Sequence, residues 1–222
     1  MKNWDNLVEK IRRLLPGSPQ AAPEYPEDPG AVDFVVLDTE TTGFSPQHDR
    51  ILSIGALRVS QGRIRVKESL ERFVKQERFD RASVPIHGIL RTGSSERVTE
   101  REALAELLDF TGQSPVVGHH ISFDQAMIQA ACQRSGLGPL RNPLIDTGLL
   151  YGHTLIKSPL LIKKDHYTLD ELADKFDISC KDRHTALGDA YITAIAFLNI
   201  LELLRAKRPL TTRDLLKLGS RK

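Results

Sequence analysis

Phe34-Val35-Val36-Leu37-Asp38-Thr39-Glu40-Thr41-Thr42-Gly43 is the stretch that decides how this chain is read. Four apolar residues in succession predict a buried strand, and Thr-Thr-Gly predicts its exit into a turn. Side chains alternate along a strand, so Asp38 and Glu40 point to the same side. Two like charges beside each other at a strand end repel, and burial strengthens the repulsion. Cations between them reverse the sign, because hard divalent ions take carboxylate oxygens as ligands. Acids also simply mark strand ends, so the pair by itself leaves both readings open.

Two further segments bear on that choice. Val116-Val117-Gly118-His119-His120-Ile121-Ser122-Phe123-Asp124 predicts a short strand running into a loop, with a helix starting at Ser122 as N-cap. Asp124 then falls in the first turn, where an acid also complements the helix dipole. His184-Thr185-Ala186-Leu187-Gly188-Asp189-Ala190-Tyr191-Ile192 leads into a strongly apolar helix. Asp189 shares its buried face with Ile192, Thr193 and Ala196, none of which offers a charged partner.

The three blocks Asp38-Thr39-Glu40-Thr41-Thr42-Gly43, Gly118-His119-x-x-x-Phe123-Asp124 and His184-x-Ala186-x-x-Asp189-Ala190 together resemble the DEDDh 3′–5′ exonucleases. That family includes the proofreading epsilon subunit of bacterial DNA polymerase III. Ile86-His87-Gly88-Ile89, Asp146-Thr147 and Thr168-Leu169-Asp170-Glu171-Leu172-Ala173 fall in the family order between the blocks, and the similarity covers residues 33–205. The resemblance implies an α/β fold, a ribonuclease H-like mixed five-stranded sheet flanked by helices. It implies Asp38, Glu40, Asp124 and Asp189 as ligands of two divalent cations, Mg²⁺ or Mn²⁺, with Asp38 bridging them, and His184 as general base. It further implies that Thr41, Thr42 and Gly43 cup the terminal nucleotide and that His87 lines the pocket for the 3′-terminal base. His120 stands where the family usually carries asparagine. The implied substrate is the 3′ end of single-stranded DNA, in replication, repair or proofreading; RNA 3′-end trimming and a non-catalytic nucleic-acid or scaffold module are the alternatives.

This chemistry asks for these residue types. Phosphodiester hydrolysis is served by two metals about 3.5–4 Å apart, one for the attacking water and one for the leaving oxygen, and they need a dense carboxylate cluster. Imidazole can accept a proton near neutral pH. Five residues of α-helix rotate a side chain by roughly 500°, about 140° away from its starting face. His184 and Asp189 therefore meet one site only if His184 precedes the helix, on the loop with Lys181-Asp182-Arg183. Asp146 is read as a helix N-cap and Phe123 as a core residue rather than a stacking platform.

Rival chemistries lack their signatures. Neither His-x-x-x-His nor Cys-x-x-Cys occurs, and there is no Gly-rich phosphate loop and no Gly-x-Ser-x-Gly elbow. The 222 residues carry 31 Lys and Arg against 29 Asp and Glu, a net charge of +2, so the overall field does not announce a nucleic-acid partner. Lys157, Lys163 and Lys164 and the basic residues after Arg205 form local clusters whose default reading is solvated surface. Expected elements are strands at 34–37, 51–59, 64–74 and 115–118, and helices at 100–112, 123–135, around 146–176 and 185–205.

The expected organisation is an N-terminal amphipathic helix over 1–15, a Pro-rich linker over 16–30, an exonuclease domain over 31–208 and a basic tail over 209–222. Trp4, Leu7, Val8, Ile11, Leu14 and Leu15 make an apolar stripe that either packs back on the domain or serves a protein partner or self-association. No stretch is expected to span a membrane, and with only two cysteines the chain reads as cytoplasmic.

Overall fold

The computed structural model describes residues 23–76, 88–89, 96–155 and 167–220. The expected helix over 1–15, the base-pocket residue His87 and the lysines at 157, 163 and 164 lie outside the described residues.

Strand β1 (Phe34–Thr41) is the centre of the architecture. It pairs antiparallel with β2 (Ile51–Ser60), which pairs antiparallel with β3 (Arg63–Val74). On its other side β1 runs parallel to β5 (Val116–Gly118), which runs parallel to β6 (Leu144–Asp146). A two-residue strand β4 (Arg97–Val98) joins β3 in parallel, giving the order β4-β3-β2-β1-β5-β6. The mixed ribonuclease H-like sheet is thus present, with six strands among the described residues rather than five. β4 and β6 span two and three residues, too few to display the alternation by which strands are read from sequence.

Alternation along β1 builds two cores. Val35 and Leu37 face helices α1 (Glu100–Thr111) and α2 (Ser122–Ser135), meeting Leu104, Leu107, Met127 and Ile128. Phe34 and Val36 face the opposite layer: α3 (Thr147–Thr154), α4 (Leu169–Lys175), α5 (Ala186–Lys207) and α6 (Thr212–Gly219). Phe34 packs edge-on against Phe197 of α5, their ring centroids 5.0 Å apart. Asp38 and Glu40 continue the α5 face and Thr39 the α2 face, which is the period of two at work.

α5 corrects one expectation. It is long and apolar enough to cross a membrane by length and composition, but 56% of its most apolar window is buried inside the protein. Its hydropathy is that of a central core helix wedged between the sheet and helices α3 and α4.

The packed body also extends past the limits of 31 and 208 expected for the domain. Tyr25 donates its hydroxyl to the Gln113 carbonyl at 2.7 Å, and Arg205 pairs with Asp28. The Thr212 backbone N–H and hydroxyl donate to the Glu27 and Pro26 carbonyls at 2.8 and 2.6 Å. The supposed tail contains α6, started by a Thr211–Asp214 capping box and seated through Leu215 and Gly219 on β6 and α3. The Thr-x-x-Asp spacing and the leucines at 215, 216 and 218 are its sequence signal, masked by the surrounding basic residues.

Gly55 governs how closely α5 approaches the sheet. A Cβ at this position of β2 would lie 2.2 Å from the Ala186 carbonyl carbon and the Leu187 nitrogen, both backbone atoms in the first turn of α5. Gly55→Ala is therefore expected to push that turn off the strand, costing about 1–3 kcal/mol of stability. Because Asp189 rides on the same turn, its carboxylate should shift away from those of β1. Thermal melts of the two proteins check the stability loss.

Candidate active site

Three of the expected acids meet at one point. Oxygen atoms of Asp38, Glu40 and Asp189 all lie within 4.8 Å of one another. Asp38 and Glu40 reach it from the end of β1 and Asp189 from the first turn of α5, which Gly55 brings against the sheet. All three are hard oxygen donors, and their convergence fits a divalent cation.

Asp124 stands apart from that trio. It is 4% exposed in the first turn of α2, and its Oδ1 accepts a 2.6 Å hydrogen bond from the Thr39 hydroxyl. Thr39 points to the α2 face of β1, so Asp124 flanks the strand from the layer opposite Asp189. Asp38 on β1 feels the charge of both. α2 starts just after β5 ends, and β5 runs parallel to β1, so the helix N-terminus and the acids of β1 share the carboxyl end of these two strands.

The loops at the two helix starts are strained. His120 has φ 57° and His184 has φ 65°, both in the left-handed region. Among residues with a side chain, asparagine and histidine are enriched there, which accounts for histidine standing where the family usually has asparagine. The turn also corrects the cap: Ile121 is the N-cap of α2, with no side-chain hydrogen bond, and Ser122 is the first helical residue. His184 sits before the Thr185 N-cap of α5, on the loop, as the rotation argument requires. Its side chain is exposed, and its backbone N–H donates to Asp189 Oδ1 at 3.2 Å.

The turn after β1 is held internally. Thr42 donates its N–H to the Arg50 carbonyl at 2.9 Å and its hydroxyl to Asp49 at 3.0 Å. Thr41 donates its hydroxyl to the Gly43 carbonyl at 2.8 Å, and the second oxygen of Asp49 accepts from the Ser45 N–H. These contacts make Thr41 and Thr42 builders of the turn, with the Thr42 N–H already spent. The turn presents Phe44, 86% exposed, with its ring 5.9 Å from that of Phe123. Phe123 itself leans on the α1–α2 core. Asp146 caps α3, accepting the Leu149 N–H at 3.1 Å.

Arg183 is the residue that sequence reasoning passed over. Its Nη1 lies 2.5 Å from Asp189 Oδ2 and its Nε 2.7 Å from Asp170 Oδ1, so it ties α4 to the acid cluster. It supplies the charge partner that the face of α5 lacks. The signal available was an arginine adjacent to His184; its direction depends on the left-handed turn at that histidine.

Electrostatics follow from burial and crowding. Desolvation, then repulsion from Asp189, pushes the Glu40 carboxyl up to about 7 against the opposing pull of Arg183. Asp124 rises to about 7 through burial, despite the stabilising hydrogen bonds from Thr39 and the backbone. Asp38 is held well above the ordinary carboxylate range, first by burial and then by Asp124, Asp189 and Glu40. Burial also raises Asp189, offset by Arg183 and the His184 N–H. Neighbouring His119 goes the other way, down to about 4, because burial disfavours its imidazolium.

A mixed sheet with helices on both faces and a DEDD-type set of acids around the carboxyl end of its central strand defines a nuclease domain of the ribonuclease H-like class. The chain belongs to the exonuclease family RNase_T, which matches residues 35–197. The PolC-type DNA polymerase III of Thermotoga petrophila is 32% identical over 173 residues, covering 78% of this chain and 12% of the relative. That of Halalkalibacterium halodurans is 34% identical over 185 residues, covering 83% and 12%. The chain thus spans about an eighth of the length of these curated relatives. Among solved structures, E. coli exonuclease I in complex with a dT13 oligonucleotide shares the fold with a TM-score of 0.67 at 19% identity, over 79% of this chain and 42% of that one. Exonuclease X in complex with 5′-overhanging duplex DNA aligns with a TM-score of 0.61 at 20% identity, over 84% and 99%.

Raised carboxyls set a pH dependence whose sign is fixed. A carboxyl held above its unfolded value binds its proton more tightly when folded, so its contribution is fully present below about 4, the ordinary carboxylate value. That contribution is lost as pH rises through the folded value, about 7 for Glu40 and Asp124. In chelator, the melting temperature should therefore drop between pH 5 and pH 8. Glu40→Gln should flatten that drop and melt higher than the parent at pH 8. Scanning calorimetry at both pH values checks it; a parent protein more stable at pH 8 than at pH 5 in chelator contradicts it.

Proposed function

We propose that this chain is a 3′–5′ exonuclease that hydrolyses single-stranded DNA from its 3′ end and releases nucleoside 5′-monophosphates. The observation that carries the reading is the convergence of Asp38, Glu40 and Asp189 within 4.8 Å, with Asp124 on the other flank of β1. A protein that only bound nucleic acid or served as a scaffold would gain nothing from keeping like charges this close. The PolC-type relatives favour DNA and a polymerase-linked role in replication, repair or proofreading.

In this reading Asp38, Glu40, Asp124 and Asp189 hold two divalent cations, Mg²⁺ or Mn²⁺. Such ions, when bound, offset phosphoryl charge and lower the cost of ionising water. His184, exposed on its loop, takes the proton from the water that attacks phosphorus. The P–O3′ bond breaks, the 3′ oxygen leaves and takes up a proton, and the strand ends one nucleotide shorter with a free 3′ hydroxyl. Arg183 keeps Asp189 turned toward the cluster, and the hydrogen bond from Thr39 fixes Asp124. Phe44, exposed on the turn that follows the acids of β1 and in ring contact with Phe123, offers its face to an unpaired base, a contact every base can make.

A time course on 5′-labelled single-stranded DNA, with Mg²⁺, Mn²⁺ or chelator, tests the reading. The expected result is a ladder shortening from the 3′ end with either metal and none with chelator. Endonucleolytic fragments, or mononucleotides released from the 5′ end, overturn it; the same assay on RNA decides between DNA degradation and RNA trimming. Asp38→Ala should remove nearly all activity while the fold persists. His184→Ala should slow hydrolysis by about 10²–10⁴-fold while calorimetric metal binding changes little. Loss of metal binding in that variant would make His184 a ligand.

Phe44→Ala should raise KM for single strands with a smaller effect on kcat, by an amount equivalent to about 1–3 kcal/mol of stacking. Steady-state kinetics on oligonucleotides of one length check it.

A further inference from the structure

A groove of about 880 Å³ lies between residues 23–27 and α6. Its walls are largely apolar: Pro23, Tyr25, Pro26, Pro143 and Leu216. Pro26 is exposed and the other four are half-buried. The groove is firmly built, because Tyr25 is hydrogen-bonded to Gln113 and Thr212 to both Pro26 and Glu27. None of these residues belongs to the acid cluster.

We propose that this groove is the docking site for residues 1–15 of the same chain. Pro23, the first described residue, lines the groove, and only residues 16–22 separate it from Leu15. That connection spans less than about 30 Å even fully extended, which holds the segment near the groove at millimolar effective concentration. Trp4, Leu7, Val8, Ile11, Leu14 and Leu15 recur at helical spacing, and a 15-residue helix about 22 Å long would lay that stripe on an apolar channel. The segment carries Lys2, Lys10, Arg12 and Arg13 against Asp5 and Glu9, while Glu24 and Glu27 flank the groove beside Arg213.

Trp4 is the single tryptophan of the chain, so intrinsic fluorescence of the full-length protein reports directly on this contact. The expected result is a blue-shifted emission, poorly quenched by acrylamide, in a protein that sediments as a monomer at all concentrations. Leu216→Arg should shift the emission to that of a solvated indole, with hydrolysis of single-stranded DNA unchanged. Leu216 is half-buried, so Pro26→Arg, at an exposed wall of the same groove, provides a second variant that leaves packing intact. Emission already red in the parent, or blue emission that neither substitution moves, overturns the proposal. So does protection of Trp4 that disappears on dilution together with a dimer, since the occupant would then be a second copy.

Discussion

The cost of burying four carboxylates around the end of β1 is the constraint around which the rest of the molecule is arranged. Asp38, Glu40, Asp124 and Asp189 are all displaced toward protonation, and desolvation is the leading cause for each. A fold that gathers such groups opposes its own stability at neutral pH, so the surrounding structure must hold them by other means. Those means are visible: two hydrophobic cores clamp β1 from both faces, and the first turns of α2 and α5 present positive dipole ends to Asp124 and Asp189. Thr39, Arg183 and the His184 N–H each give an acid a fixed partner. A divalent cation would add the attraction that this frame prepares for.

What the sequence made legible is whatever depends on a period. Asp38 and Glu40 share a side because strands alternate, and that alone divides the strand into an α2 face and an α5 face. His184 belongs on a loop because a helix cannot aim residues five apart at one point. Both statements needed only residue spacing. Three blocks in family order then supplied the strand arrangement that no periodicity encodes.

The rest was hidden for physical reasons that differ case by case. β4 and β6 are too short for a pattern, and their pairing depends on neighbours far away in sequence. α6 was concealed by the basic residues around it, although its capping box and leucines were in view. Arg183 was read as loop because its role depends on a backbone turn at His184 that only the folded chain displays. Thr39 stands between two acids in sequence, but its hydroxyl serves the opposite face of the strand. Sequence spacing reports which side a residue takes; it does not report which residue from another element waits there.

That distinction explains why the cluster is asymmetric. Asp189 arrives with α5, whose approach is set by Gly55, while Asp124 arrives with α2, which follows the left-handed turn at His120. These two layers touch β1 from opposite faces and have separate cores, so neither can adjust to the other except through the strand between them. Asp38 and Glu40 belong to that strand and feel the acids of both layers, so their positions are common to the two halves. The geometry of the site is therefore fixed by three independent packing decisions, one in each core and one in β1. Because interiors are close-packed and low in compressibility, a small change in either core reaches the carboxylates as a displacement rather than being absorbed on the way.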